Sequence, residues 1–386
     1  MIGTRLQPFA STVFAEMTAI ANKYGAVNLG QGFPDTDGPT GMLDAARAAI
    51  AAGANQYPPG RGVAELRAAV SADRARRFGT WYDAGSEVLV TVGASEAIAA
   101  AMLGLLEPGD EVVLIEPYYD LYAAAIAMAG CVRRVARMVP CGTGFALDLD
   151  SLAAAITSRT RMIVVNSPHN PTGTVFSAAE LAAVADLACE RGLLVLADEV
   201  YEHLAFDDEH VSLSTFPGMR ERTIVVSSAA KTFNVTGWKV GWACAPAELI
   251  AGVLAAKQFL TFAGGGPFQH AVAHAVEHEQ DWLARHRSSL ADKRSRLSRA
   301  LADAGFDVRG GGGTYYVCVD ATADAVEFCR TLPERAGVAG IPVSAFTDDP
   351  QPWRTLVRFA CCKTDDTLAE AARRLSSFRS RSAAAP

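Results

Sequence analysis

Lys231 is hard to account for as an ordinary surface lysine. It follows the apolar run Thr223-Ile-Val-Val-Ser-Ser228 by three residues, in Ser228-Ala-Ala-Lys-Thr-Phe-Asn-Val-Thr-Gly-Trp-Lys-Val-Gly-Trp242, with a second lysine, Lys239, eight residues later. An ammonium group just past a buried strand is costly unless something neutralises it or uses it. A lysine so placed suits the amine that forms a Schiff base with a carbonyl cofactor.

Other loops carry compatible chemistry. Gly93-Ala-Ser-Glu96 opens an Ala-rich helix, whose free backbone N–H groups suit a phosphate. Glu116-Pro-Tyr-Tyr-Asp120 brings aromatic faces, and Asn166-Ser-Pro-His-Asn-Pro-Thr-Gly173 frames Asn170 between two prolines. Asp198-Glu-Val-Tyr201 sets an acid and a phenol three residues apart, on one face if the turn is helical. Arg358, in Leu-Val-Arg-Phe, has the planar fork that clamps a carboxylate bidentately. Gly30-Gln-Gly32 and the rigid loop Asn55-Gln-Tyr-Pro-Pro-Gly-Arg-Gly62 are turns in which backbone can approach a ligand.

The elements that position these loops alternate. Apolar runs at 87–92, 111–115, 161–166, 193–197, 223–228 and 240–244 are separated by helix-length segments, which predicts a mostly parallel sheet covered on both faces. Ligands bind beyond the carboxyl ends of such strands, where these loops lie. Helices are expected from Val13 to Tyr24 and from Gly41 to Ala52. Ser177-Ala-Ala-Glu180 has capping-box spacing, and Asp148 or Asp150 can cap the helix that ends near Ile156. Leu283, Leu290 and Leu297 recur at heptad spacing in a stretch expected to form one long helix between Gly264 and Gly305. Strands are expected at 314–320 and 356–360, and a disordered tail from Arg379 to Pro386. The expected fold is α/β: three layers around a mostly parallel sheet, with a smaller α+β domain. The large domain spans 41–285, and the small one is built from 1–40 plus 286–386.

Together these loops supply what pyridoxal 5'-phosphate needs. Lys231 offers the amine for its aldehyde, and Asp198 a carboxylate to keep the ring nitrogen protonated. Tyr201 and Asn170 can hydrogen-bond the ring hydroxyl. Tyr119 can stack on the ring, with Tyr118 or Tyr122 as the alternatives. The N–H groups of Ala94 and Ser95, the Ser228 hydroxyl and Lys239 can hold the phosphate. Arg358 can clamp an amino-acid carboxylate.

In combination, Asn170-Pro-Thr-Gly, Asp198-Glu-Val-Tyr and Ser-x-x-Lys231 with Gly-Trp-Lys239-x-Gly are highly specific. The chain resembles the fold-type-I pyridoxal-phosphate enzymes of the class I aminotransferases, from Asn28-Leu-Gly-Gln-Gly-Phe-Pro-Asp35 to Val357-Arg-Phe359. It is most similar to the branch holding kynurenine and glutamine transaminases, methionine aminotransferase and N-succinyldiaminopimelate aminotransferase. The resemblance implies transamination from an amino-acid donor to a 2-oxo acid such as 2-oxoglutarate, with Lys231 moving the proton. It also implies that Gly32, Asn170 and Arg358 face the substrate. Tyr57 then reaches the phosphate of a neighbouring subunit, which makes the protein a homodimer with shared active sites. Kynurenine and glutamine transaminases carry bulky residues just before a Pro-x-Gln motif, where this chain has Gly264-Gly-Gly266. Those glycines are expected to make room for a long side chain such as an N-succinyl arm. The rival readings are β-elimination from cysteine conjugates at the same site and a cofactor-binding regulator without turnover. Such regulators usually carry a DNA-binding segment, and residues 1–40 contain neither a helix-turn-helix nor a basic patch.

Composition narrows the remaining classes. A net charge of −7 argues against a nucleic-acid or anionic-membrane partner. No apolar run has the length of a membrane span, and the first residues lack the apolar core of a signal peptide. The eight cysteines show no C-x-x-C spacing and read as reduced thiols of a cytoplasmic protein. His270, His274 and His278 share a helical face but lack a carboxylate signature, so polar packing is expected there and no metal. Gly310-Gly-Gly-Gly313 lacks a following Lys-Ser/Thr and reads as a turn.

Overall fold

The computed structural model describes residues 2–10 and 12–383. Among them fourteen strands, β1 to β14 in chain order, form three sheets. The largest holds β2 (Val88–Val92), β3 (Glu111–Glu116), β4 (Val132–Cys141), β5 (Gly144–Leu147), β6 (Thr160–Asn166), β7 (Leu194–Asp198), β8 (Thr223–Ser228) and β9 (Val240–Cys244). Their spatial order is β2-β9-β8-β7-β6-β3-β4-β5. The four pairs from β8 to β4 are parallel, whereas β2–β9, β9–β8 and β4–β5 are antiparallel.

Side-chain alternation explains why the central strands are apolar throughout. Val113, Ile163, Val195 and Val225 face a core shared with helices Thr40–Ala51, Ala64–Phe78, Ala178–Arg191 and Gly266–His278. Their neighbours Val112, Met162, Leu196 and Ile224 face a second core with helices Gly93–Leu105, Asp120–Ala129 and Ala247–Leu260. Both faces are covered, so neither alternate set can be polar. The six apolar runs match six strands to within one residue. The apolar runs do not include β4 and the edge strand β5, because β4 reads Val-Arg-Arg-Val-Ala-Arg over its first half, which pairs only with β3 and is partly exposed.

A third core belongs to the small antiparallel sheet β10-β11-β14-β13, made of β10 (Asp307–Arg309), β11 (Tyr316–Asp320), β13 (Ile341–Pro342) and β14 (Leu356–Ala360). Nearby, β1 (Val27–Asn28) pairs in parallel with β12 (Val338–Ala339), tying the first residues to the last quarter of the chain. Leu290 and Leu297, two of the three heptad leucines, enter this core from helix Gln280–Asp303 together with Leu301. The residue boundary 285/286 falls inside that helix.

Local signals at helix ends hold. The capping box Ser177–Glu180 is complete, and the Asp148 side chain accepts from the Ser151 N–H. Two expectations fail and one condition is not met. The single helix expected between Gly264 and Gly305 breaks at Glu279 into Gly266–His278 and Gln280–Asp303, because the first half packs on helices of the large core and the second on the small one. Asp198-Glu-Val-Tyr201 is not helical: Asp198 ends β7, and turns closed by Glu202 N–H to Glu199 and Leu204 N–H to Tyr201 follow. The tail expected to be disordered from Arg379 is part of helix Asp365–Ala383, and residues 384–386 lie outside the described residues. No helix among the described residues is long and apolar enough to cross a membrane.

Leu297 is 2% exposed and carries the small core on the connecting helix. Leu297→Ala should lower stability by about 3 kcal/mol, within the usual span for a buried leucine truncation. Urea unfolding measures it; a loss below about 1 kcal/mol would show that this helix does not anchor the small unit.

Candidate active site

A cleft of about 340 Å³ opens beyond the carboxyl ends of β6, β7 and β8. Gly32, Ala94, Ser95, Tyr119, Asn170, Asp198, Tyr201, Ser228, Lys231 and Lys239 all line it. Residues up to about 200 positions apart therefore converge, because the parallel strands deliver their following loops to one edge.

Lys231 sits in the short helix Ala229–Thr232 that follows β8 directly. Its Nζ donates to the Gly32 carbonyl at 3.2 Å and stands 5.8 Å from the Tyr201 ring centroid. The Tyr315 hydroxyl donates to the same carbonyl at 2.7 Å. Among the described residues Lys231 makes no ion pair.

Asp198 is buried, and its Oδ2 accepts from the Tyr122 hydroxyl at 2.5 Å. Burial pushes its carboxyl up to about 6, against the hydrogen bonds from Tyr122 and the Val200 N–H and the charge of Lys231. The turn after it is braced by buried ion pairs. Arg74 Nη1 donates to Glu199 Oε2 at 2.7 Å and to Glu202 Oε2 at 3.2 Å, while the Ser227 hydroxyl reaches Glu202 Oε1 at 2.6 Å. Burial opposes ionisation of Glu202, yet Arg77 and Arg74 hold its carboxyl well below the usual range. Removing one member of such a buried cluster strands the others, so the turn carrying Tyr201 is held firmly.

The three tyrosines left open as stacking candidates are separated by the geometry. The Tyr118 hydroxyl donates to Asp348, and Tyr118 does not line the cleft. Tyr122 is committed to Asp198, and the Tyr119 ring meets it edge-on at 5.8 Å. Tyr119 is the one whose hydroxyl has no such commitment.

The start of helix Gly93–Leu105, expected to cradle the phosphate, lines the cleft, and its first-turn N–H groups at Ala94 and Ser95 have no partner within the helix. Gly241 of β9 lets this helix start sit close: a Cβ there would lie 2.5 Å from the Gly93 carbonyl carbon and 2.6 Å from the Ala94 nitrogen. Lys239 Nζ donates to Ser95 Oγ at 3.3 Å from a residue held at φ +54°, in the left-handed region. Strained backbone at a non-glycine residue is retained where it aims a side chain.

Arg358 is fully buried, one layer behind the cleft. Its Nη1 donates to Asn170 Oδ1 at 2.8 Å and its Nη2 to the Gly30 carbonyl at 2.9 Å. Its Nε is buried without a partner, and no carboxylate pairs with it among the described residues. The Tyr316 ring lies 4.1 Å from the guanidinium and does line the cleft. Tyr316 escaped sequence reasoning, as did the hydrogen-bonding role of Tyr122. The only signal for Tyr316 was the tandem Tyr315-Tyr316 at the start of a strand, which reads equally as core.

Tyr57 is not part of this chain's own cleft. It is 82% exposed, with its ring edge-on to Phe262 at 5.6 Å. The run Gly264–Gly266 does not line the cleft either; it lies beside the Tyr57 loop, so any room it makes is not in this chain's own site. The rings of His274 and His278 lie 4.8 Å apart, tilted by 57°, and no metal-holding cluster occurs among the described residues.

The donor set fits pyridoxal phosphate on independent grounds: an unneutralised buried carboxylate, a helix start beside a lysine, an amine, and an orphaned guanidinium N–H. Comparison with known proteins agrees. Residues 24–375 match the family described as Aminotransferase class I and II. The chain is 58% identical over 396 residues to the probable N-succinyldiaminopimelate aminotransferase DapC of Mycobacterium tuberculosis, covering 99% of this chain and 100% of the relative. It is 40% identical over 378 residues to methionine aminotransferase of Escherichia coli, covering 96% and 97%. The solved structure of N-succinyldiaminopimelate aminotransferase from Mycobacterium tuberculosis superposes with a TM-score of 0.96 at 59% identity, covering 98% of this chain and 100% of that one. The chain belongs to the class I and II aminotransferases, enzymes that use pyridoxal phosphate to move an amino group from an amino acid to a 2-oxo acid.

Proposed function

We propose that this aminotransferase takes the amino group from a donor with a long acidic side arm, of the N-succinyl-diaminopimelate type, and passes it to a 2-oxo acid such as 2-oxoglutarate. The observation that carries the substrate is the 58% identity to a probable N-succinyldiaminopimelate aminotransferase across both whole chains. The observation that carries the site is Lys231 facing a buried, unneutralised Asp198 across one cleft.

When bound, the cofactor supplies an aldehyde that takes up the amino group and a ring nitrogen that withdraws electrons once protonated. Lys231 would be the amine for that aldehyde; once the donor amine displaces it, its freed Nζ would take the proton from the substrate Cα and deliver it to the carbon that had been the aldehyde. The Gly32 carbonyl orients that Nζ. Asp198 would keep the ring nitrogen protonated, and Tyr201 and Asn170 would hydrogen-bond the ring hydroxyl. Tyr119 would stack on the ring. Ala94, Ser95, Ser228 and Lys239 would hold the phosphate. Gly32, Asn170 and Arg358 hold the substrate end, and the free Arg358 Nε–H awaits the carboxylate. In this reading residues 41–285 form the cofactor domain, and 1–40 with 286–386 form the domain that carries Arg358.

The assembly is a homodimer. Tyr57, Phe259, Leu260 and Phe262 present an exposed apolar surface, with Tyr57 82% and Phe259 87% exposed. A patch of that kind calls for cover, and a second copy brings Tyr57 to the phosphate of its partner and the glycine run to the mouth of its cleft.

A donor–acceptor screen tests the function. N-succinyl-diaminopimelate should convert fastest, in step with 2-oxo acid consumption; confinement to short aliphatic or aromatic donors would overturn the substrate. Pyruvate and ammonia released without an acceptor would identify elimination instead. Lys231→Ala should lose both turnover and the pH-dependent visible absorbance of the loaded enzyme, and retention of both would overturn the lysine's role.

Asp198 adds a pH-dependent prediction. Its carboxyl is raised to about 6 in the folded protein, above an unfolded value of about 3.9. The folded, cofactor-free state therefore binds the extra proton, and that stabilisation is present below about pH 4 and lost as pH rises through 6. Asp198→Asn should stabilise the cofactor-free protein at pH 8 by up to about 3 kcal/mol and do nothing at pH 4. Loaded with cofactor, the same variant should transaminate orders of magnitude more slowly, at about 1.4 kcal/mol per tenfold. Thermal melts at the two pH values check the first part; an equal gain at both would contradict it.

A further inference from the structure

Lys257 takes no part in the cleft, yet it is a lysine only 2% exposed. It lies on helix Ala247–Leu260, and among the described residues it makes no ion pair. Its Nζ instead donates to two backbone carbonyls on different loops, Gly60 at 3.0 Å and Phe262. Burial lowers its proton affinity, with the Glu96 charge opposing. A methionine-like side chain would fill the space without the desolvation of a charge, so the two carbonyl bonds are the feature to be explained.

Both loops belong to the exposed apolar surface formed by Tyr57, Phe259, Leu260 and Phe262. The first carries Tyr57, whose ring packs edge-on against Phe262. The second leads into the glycine run, and a Cβ on Gly266 would lie 3.1 Å from the Ala54 carbonyl oxygen, so the loops touch backbone to backbone. Gln269, itself 2% exposed, ties them a second time: its Oε1 accepts from the Val63 N–H at 2.8 Å and its Nε2 donates to the Gly264 carbonyl at 2.6 Å. The pair is also tied to the phosphate cradle. Glu96, in the first turn of helix Gly93–Leu105, accepts from the Val92 N–H at 2.7 Å through one oxygen and from the Thr261 hydroxyl through the other.

We propose that Lys257 is a positioning residue for the cofactor, a buried clasp that fixes the Tyr57 loop to the glycine loop and, through Thr261 and Glu96, to the phosphate cradle. Each subunit's own cradle then sets the attitude of the tyrosine it lends to its partner. The proposal rests on the reading that Tyr57 reaches the partner's phosphate. A lysine kept only for stability would loosen its surroundings generally and would not act through Tyr57.

The experiment uses dimeric holoenzyme, at concentrations where sedimentation matches wild type. Lys257→Met, Tyr57→Phe and the double variant are compared for pyridoxal-phosphate affinity and for amide hydrogen exchange. Lys257→Met should weaken cofactor affinity about tenfold, and the double variant should be no weaker than the worse single one. Exchange should rise in 55–63 and 261–266 and stay unchanged in β8. Thr261→Val, which removes only the Glu96 contact, should move both readouts in the same direction by less, and stands in if Lys257→Met does not fold. Unchanged affinity with Lys257→Met while Tyr57→Phe weakens it, independent effects in the double variant, or a uniform rise in exchange would each overturn the clasp. If Tyr57→Phe leaves affinity unchanged, the reading of Tyr57 falls, and the clasp then stands or falls on exchange in the two loops.

Discussion

Asp198 ends a strand with its carboxylate buried and no cation paired to it, and much of the molecule serves to keep it there. Asp198 and the half-buried Lys231 at the cleft, and Arg358 one layer behind it, are without an ion partner among the described residues. Beside the turn after Asp198, Arg74, Glu199 and Glu202 are buried and ion-paired, with the Arg74 Nε alone left over. The contrast separates two uses of charge. Paired charges brace a turn at modest net effect on stability. Unpaired ones need other partners, either backbone carbonyls as at Lys257 or a ligand, and the opposite signs here match a protonated ring nitrogen, an aldehyde that takes an amine, and a carboxylate.

Architecture follows from the need to hold those groups together. A parallel sheet covered on both faces is rigid in its middle, and its strand ends deliver loops from distant parts of the chain to one edge. Gly241 lets the cradle helix rest against β9, and the Arg74 cluster fixes the turn after β7. The small antiparallel sheet adds Arg358 from β14 and places Tyr316 over it. In the proposed reading the Lys231 amine sits between a cofactor anchored by the large sheet and a clamp supplied by the small one.

Much of this was legible in the residues themselves. Continuous apolar runs located the central strands because burial on both faces leaves no polar alternate positions. Side-chain caps at Ser177 and Asp148 could be read because they depend on three-residue spacing alone. What escaped depends on tertiary partners. β4 was missed because arginines occupy its partly exposed positions. The break at Glu279 arises from two packing surfaces with different axes, which periodicity cannot show. Tyr122 turned out to serve Asp198, and Tyr316 to cover Arg358, since a tyrosine in sequence does not disclose where its hydroxyl points. Arg358 was expected at the cleft and stands one layer behind it, reached past Asn170 and Tyr316.

The central claim is that one lysine, at the end of β8, is the group to which the cofactor's aldehyde attaches. Borohydride reduction of the loaded enzyme, followed by peptide mass mapping, tests it directly because reduction makes that attachment permanent. The pyridoxyl phosphate mass should appear on the peptide containing Lys231 and be confined to it. The same mass on Lys239, on Lys257 or on any other lysine in place of Lys231 would contradict the account.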